Sequence, residues 1–96
     1  MSAGQTPEFK QAVKESHRLK SKPTDAELLE IYSLFRQGTQ DPPFDESKAP
    51  GMFNLKEKIK REAWQKIHEQ GVNFEEAQKR YVEAVNKLKE KYGLKD

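Results

Sequence analysis

The sequence predicts a single all-α domain built as a four-helix bundle. Three observations carry this. Four separate stretches place apolar residues three and four apart, and each is preceded by a residue suited to an N-cap. No stretch alternates with period two between turn-forming flanks. The breaks between the stretches fall on Pro23, on the run from Pro42-Pro43 to Gly51, and on Gly71, all of which interrupt helices.

Taken in order, residues 1–5 are small and polar and read as a loose tail. Thr6-Pro7-Glu8 opens the first helix, with Thr as N-cap and Pro at the first helical position. Phe9, Ala12, Val13, Ser16 and Leu19 carry its periodicity, Lys20 and Lys22 suit its C-terminus, and Pro23 stops it. Thr24 and Glu27 form a capping box for the second helix. Its apolar set, Leu28, Leu29, Ile31, Tyr32, Leu34 and Phe35, is wider than one buried face requires, and the helix is expected to end near Gly38. Residues 40–53 form a long irregular connection, the kind of loop that often has a function, with Phe44, Met52 and Phe53 expected to pin it to the body. Asn54 with Glu57 opens the third helix, where Leu55, Ile59, Ala63 and Ile67 step along one face and Lys56, Lys60 and Trp64 along another. Asn73 with Glu76 opens the fourth, where Phe74, Ala77, Tyr81, Ala84, Val85, Leu88 and Tyr92 give the clearest amphipathic pattern before Gly93 caps it.

Composition narrows the classes of function. The 96 residues are enough for one domain. Leu, Ile, Val and Phe number only 19, so the core is thin, but 18 basic and 16 acidic residues nearly cancel and interleave, as on solvated helix faces. The absence of cysteine removes disulfides, thiolate metal sites and a Cys nucleophile, and favours a reducing compartment. No apolar run reaches membrane-spanning length and the N-terminus lacks a signal-peptide core, so the chain reads as a complete soluble protein. His17 and His68 lie on different elements without ligand partners at i+3 or i+4, and no phosphate-binding glycine loop occurs. With no nucleophile–base pair either, an enzyme has no candidate constellation. Near-neutral net charge argues against nucleic acid.

One cation stands out. Arg36 is the only Lys or Arg between Lys22 and Lys48, an interval that holds six carboxylates. Read locally, it is a surface ion-pair partner of Glu30 or Asp41. Tyr32, Phe35, Arg36 and Thr39 share one helix face, which equally suits an aromatic and cationic ligand contact. Trp64, Phe9, Val13, Val85 and Leu88 read as core, and His68 as a surface histidine.

The order of these parts resembles the acyl-CoA-binding protein family. The matching pieces are Lys20-Ser21-Lys22-Pro23, the run from Tyr32 to Thr39, Pro50-Gly51-Met52, the run from Lys56 to Trp64, and Tyr81. Each is weak alone; their combined order and spacing, from Phe9 to Gly93, is the signal. The resemblance implies an up-down-down-up arrangement and non-enzymatic binding of medium- to long-chain fatty acyl-CoA, carried and buffered in the cytoplasm by a monomer. It implies no cofactor, no metal, no nucleic acid and no stable membrane insertion. It assigns Tyr32, Arg36 and Lys60 to the adenosine 3′-phosphate region and Phe35 and Tyr81 to the ligand. His17 and Lys56 are further lining positions, Leu28 and Leu29 line the acyl groove, and Ser33 and Leu34, within the same motif, complete the candidate set. The chain departs from the family pattern at Phe35, Arg36 and Gly38, where Tyr, Lys and Ala are common. Gly38 is expected to weaken the helix end by up to ~1 kcal/mol. Arg61 stands in place of a tryptophan and His17 in place of a lysine. Phe35 and Arg61 keep a second expectation open, a helical interaction module that has lost the ligand.

Overall fold

The structure is a computed structural model that describes residues 4–95. The expected loose tail at 1–5 therefore lies partly outside the described residues. Four helices form, α1 (Pro7–Ser16), α2 (Asp25–Thr39), α3 (Leu55–Glu69) and α4 (Phe74–Tyr92), with a short 3-10 turn at Phe44–Glu46. Their N-termini are set by local chemistry. The side chains of Thr6, Thr24, Asn54 and Asn73 accept from the backbone N–H of Phe9, Glu27, Glu57 and Glu76 at 3.1, 3.2, 3.3 and 2.9 Å. Thr24 N–H donates back to Glu27 Oε1 at 2.8 Å, completing the capping box.

Side-chain pairing fixes the direction of each helix. Thr6 meets Gln78 and Glu15 meets Lys89, so α1 and α4 run the same way. Lys60 lies over Tyr32 and Arg36 over Trp64, so α2 and α3 also run the same way. Glu27 meets Tyr92 and the Gly38 carbonyl meets Gln78, which sets α2 against α4. The order is up-down-down-up, as expected. It also accounts for the long loop: two parallel neighbours require the chain to travel back along a 15-residue helix, about 22 Å.

The core is small. Phe9, Ala12, Leu34, Tyr81, Ala84 and Val85 form its centre, with Phe9 and Val85 fully buried. Phe9 meets Tyr81 edge-on at 5.0 Å and stacks near Phe35 at 6.1 Å. Two glutamines tie the helices together. Gln78 Nε2 donates to the carbonyls of Gly4 and Gly38 at 2.7 and 2.9 Å, and its Oε1 accepts from Thr6 N–H at 3.1 Å. Gln37 Oε1 accepts from Trp64 Nε1 at 2.9 Å, while its Nε2 donates to the Val72 carbonyl at 2.6 Å.

Four expectations are corrected. α1 ends at Ser16, not at Lys20 or Lys22: Leu19 instead pairs with Leu94, through Lys20 N–H to Gly93 O at 2.9 Å and Lys95 N–H to Arg18 O at 2.7 Å. Gly38 is more than a weak helix end, because a Cβ there would sit 3.1 Å from Gln78 Cγ and 3.5 Å from the Phe9 ring. His68 is not free at the surface: Phe44 stacks on its ring at 5.0 Å and Asp45 lies 3.4 Å from its Nε2. Of the three residues expected to pin the loop, only Phe44 does so, edge-on to Trp64 at 5.0 Å. Met52 and Phe53 are exposed, as are Leu55 and Ile59 on the apolar face of α3.

Candidate functional site

The starts of α2 and α3 lie side by side, leaving an open groove of about 360 Å³ between them. Its floor is apolar, with Leu28 and Leu29 from α2 and Ile59 from α3. Tyr32, Lys56, Lys60 and Asp25 complete its lining. The i, i+3, i+4 spacing of Leu28, Leu29 and Tyr32 explains the width of the α2 stripe: one part faces the core, and the other faces this groove. The groove opens into a wider cleft of about 660 Å³ that shares Leu28, Tyr32, Lys56 and Lys60, and adds His17 and Ser16 from the end of α1, Lys22, Phe35 and Tyr81.

The polar end of the site is electropositive and weakly paired. Lys60 Nζ lies 4.8 Å from the centre of the Tyr32 ring and 3.5 Å from Glu57 Oε1, its one carboxylate partner among the described residues. Asp25 is the one carboxylate lining the wide cleft, against Lys22, Lys56 and Lys60. Tyr81 is nearly all core. It is 3 % exposed, and its hydroxyl donates to Ser16 Oγ at 3.2 Å. Burial raises its pKa, partly offset by that bond, so it stays a neutral phenol. Phe35 is half-buried and packs against both Phe9 and Tyr81, its ring centre 6.1 Å from each.

Arg36 lies on the other side of Tyr32. It lines a separate polar cleft of about 160 Å³ with Tyr32, Arg61, Lys48 and Glu57. Its guanidinium sits over the Trp64 ring at 4.6 Å and donates to the Asp41 backbone carbonyl at 3.4 Å. The ion pair to Glu30 or Asp41 suggested by local reading does not form. Arg61 lies over Phe44 at 4.3 Å and donates to Ser47 Oγ and, at 3.4 Å, to the Lys48 carbonyl. Neither guanidinium has a carboxylate partner among the described residues, and Arg36 Nε is buried without an acceptor.

The structure thus brings together Tyr32, Phe35, Lys56, Lys60, Tyr81, His17, Leu28 and Leu29 around one continuous cleft, with Arg36 across the Tyr32 ring. Ser33 and Leu34 are not there. Ser33 is buried with its hydroxyl on the Glu30 carbonyl at 2.9 Å, and Leu34 belongs to the core cluster. They sit one and two residues past Tyr32, a rotation of ~100–200° that carries them off the groove face. Ile59 was missed as a lining residue, although its position between Lys56 and Lys60 signals it. Among the described residues no cluster of three metal-ligating side chains occurs, and no helix is long and apolar enough to cross a membrane.

Comparison with known proteins places this architecture. The family model described as "Acyl CoA binding protein" matches residues 6–85. An acyl-CoA-binding protein homolog from Manduca sexta is 40 % identical over 87 residues, which are 91 % of this chain and 93 % of that protein. The acyl-CoA-binding protein of Saccharomyces cerevisiae is 37 % identical over 84 residues, 88 % of this chain and 92 % of the yeast protein. In the solved structures, acyl-CoA-binding protein 2 of Oryza sativa superposes with a TM-score of 0.75 at 31 % identity, covering 88 % of this chain and 89 % of the rice chain. The chain belongs to the acyl-CoA-binding protein family.

Proposed function

We propose that this chain binds long-chain fatty acyl-CoA esters non-covalently, one per monomer, and acts as a cytoplasmic carrier and buffer of them rather than as an enzyme. The observation that carries this reading is the continuity of an apolar groove, Leu28, Leu29 and Ile59, with a tyrosine- and lysine-rich cleft, Tyr32, Lys56 and Lys60. An amphiphile with a long alkyl tail and a polyanionic head needs both surfaces at once.

The tail is the larger source of binding free energy. Each buried methylene contributes ~0.8 kcal/mol, so about a dozen give on the order of 10 kcal/mol gross. Association costs ~4–15 kcal/mol, so the head must contribute as well. Lys22, Lys56 and Lys60 are the lysines on the cleft side, and each charge-assisted bond to a phosphate adds roughly 1.5–3 kcal/mol. Lys60 now holds only a long, half-exposed contact with Glu57, which a phosphate dianion can replace. Tyr32 supplies a ring and a hydroxyl between the two groups of cations, with Lys60 on one side and Arg36 on the other. His17, Phe35 and Tyr81 shape the wide cleft, Tyr81 chiefly through its ring edge because its hydroxyl is committed to Ser16.

Backbone chemical-shift mapping during a palmitoyl-CoA titration tests the location. The expected shifts concentrate at Leu28, Leu29, Tyr32, Lys56, Ile59 and Lys60. Shifts confined to the opposite face, at Glu83 and Lys87, would show that the cleft is not the binding site.

A further inference from the structure

Five large apolar side chains are exposed among the described residues, and four of them fall in one run: Met52, Phe53, Leu55 and Ile59, at 75 %, 92 %, 69 % and 51 % exposure. They occupy the last turn of the α2–α3 loop and the first turns of α3. Single exposed apolar residues are ordinary, whereas a contiguous patch marks a surface that meets something. A side chain as large as Phe53, left almost wholly in water at a loop tip, contributes nothing to the core.

The charges around the patch say what it meets. Between Lys48 and Arg61 the chain has five cations, Lys48, Lys56, Lys58, Lys60 and Arg61, and one carboxylate, Glu57, which Lys60 engages at 3.5 Å. Glu62 follows one position later. Lys58 Nζ donates to the Met52 carbonyl at 2.8 Å, which fixes an ammonium at the edge of the patch, and Lys56 is exposed beside Leu55. A rim of net positive charge opposes pairing of the patch with a second copy of itself, because mostly like charges would meet across the contact. Apolar tips rimmed by lysines suit a surface that is anionic outside and hydrocarbon inside.

We propose that this patch docks the protein on an anionic lipid bilayer. Met52 and Phe53 enter the boundary between headgroups and acyl chains, and Lys56 and Lys58 lie against the headgroup charges. The attachment is weak and reversible, since two apolar side chains and a few cations fall well short of a lipid anchor. Ile59 belongs both to the patch and to the groove it shares with Leu28 and Leu29, so docking sets the open apolar end of the groove against the membrane. Only that last consequence rests on the acyl-CoA reading; the docking itself does not.

Co-sedimentation with vesicles tests this, using phosphatidylcholine alone and phosphatidylcholine mixed with phosphatidylserine. The wild type is expected to sediment with the mixed vesicles well above the neutral ones, and to release as salt rises. Phe53→Ser should cut partitioning on the order of tenfold, and Lys58→Gln should flatten the dependence on phosphatidylserine. Both variants should fold and should bind palmitoyl-CoA in solution as the wild type does. No preference for the anionic vesicles, or equal partitioning of Phe53→Ser, would overturn the proposal. So would a concentration-dependent dimer that Phe53→Ser dissolves, since that assigns the patch to a second copy. Vesicle binding without any acyl-CoA binding would instead overturn the acyl-CoA reading and leave the docking surface standing.

Discussion

Gln37→Leu tests how the site is supported. Gln37 is 4 % exposed and is the hydrogen-bond partner of two groups at once, the Trp64 indole N–H at 2.9 Å and the Val72 carbonyl at 2.6 Å. Leucine is close in volume, so the change leaves both groups buried without a partner and opens little cavity. An orphaned buried group costs about 1–3 kcal/mol, which gives roughly 2–6 kcal/mol for the pair. For a domain of this size each kcal/mol shifts Tm by about 4–8 °C, so a fall of at least about 8 °C, and up to several tens of degrees, is expected. Thermal unfolding followed by circular dichroism measures it, and the fluorescence of Trp64, the sole tryptophan, reports the local environment. Because Trp64 also carries Arg36 on its face, any folded variant should bind acyl-CoA more weakly as well. A Tm loss below about 5 °C would refute the reasoning, since it would mean that water or a repacked side chain satisfies both groups.

The remaining predictions concern charge. Lys60→Ala should weaken binding of palmitoyl-CoA about tenfold by calorimetry, with a smaller loss for the dephospho-CoA ester; equal losses would place Lys60 away from the 3′-phosphate. Arg36→Ala should weaken acyl-CoA binding while leaving Tm nearly unchanged, because Arg36 has no carboxylate partner to lose; an unchanged dissociation constant would confine Arg36 to packing on Trp64. Glu27 is lowered from 4.5 to about 2, first by the Tyr92 hydroxyl at 2.6 Å, then by the Thr24 backbone N–H, with Lys91 adding to it. A depressed carboxylate stabilises the fold above its ordinary pKa, and that contribution is lost as pH falls from about 4.5 through about 2. Tyr92→Phe should therefore lower the urea midpoint at neutral pH and converge on the wild type below about pH 2; an equal deficit at both would assign the loss to packing.

Much of the fold was legible because helix starts are local chemistry. Thr6, Thr24, Asn54 and Asn73 each announce a helix and each caps one. Helix ends are less so. Leu19 keeps the period of α1, but its backbone pairs with Leu94 across the whole chain, and no local signal marks that. The same limit applies to faces. Leu55 and Ile59 at i, i+4 look identical whether the face packs against a helix or opens to a ligand, and only the position of α2 decides. Within the candidate site, Leu28, Leu29, Tyr32, Lys56 and Lys60 were reachable from the family motifs and lie together. Ser33 and Leu34 entered by adjacency in sequence and face elsewhere. The direction of Arg36 depends on Trp64, a residue 28 positions away on another helix, so spacing along α2 alone does not fix it.

The long loop also reads differently in three dimensions. Its length follows from returning the chain between two parallel helices, and its last turn carries the exposed side chains of Met52 and Phe53. Phe44 anchors its first half, bracketed by Trp64, His68 and Arg61.

The central claim is that head and tail are bound together in one cleft. Titration calorimetry with palmitoyl-CoA, free CoA and free palmitate tests it most directly. Palmitoyl-CoA is expected to bind saturably and one-to-one, and the two fragments to bind more weakly by orders of magnitude, since each forfeits one surface of the site. Equal, weak binding of all three would contradict it.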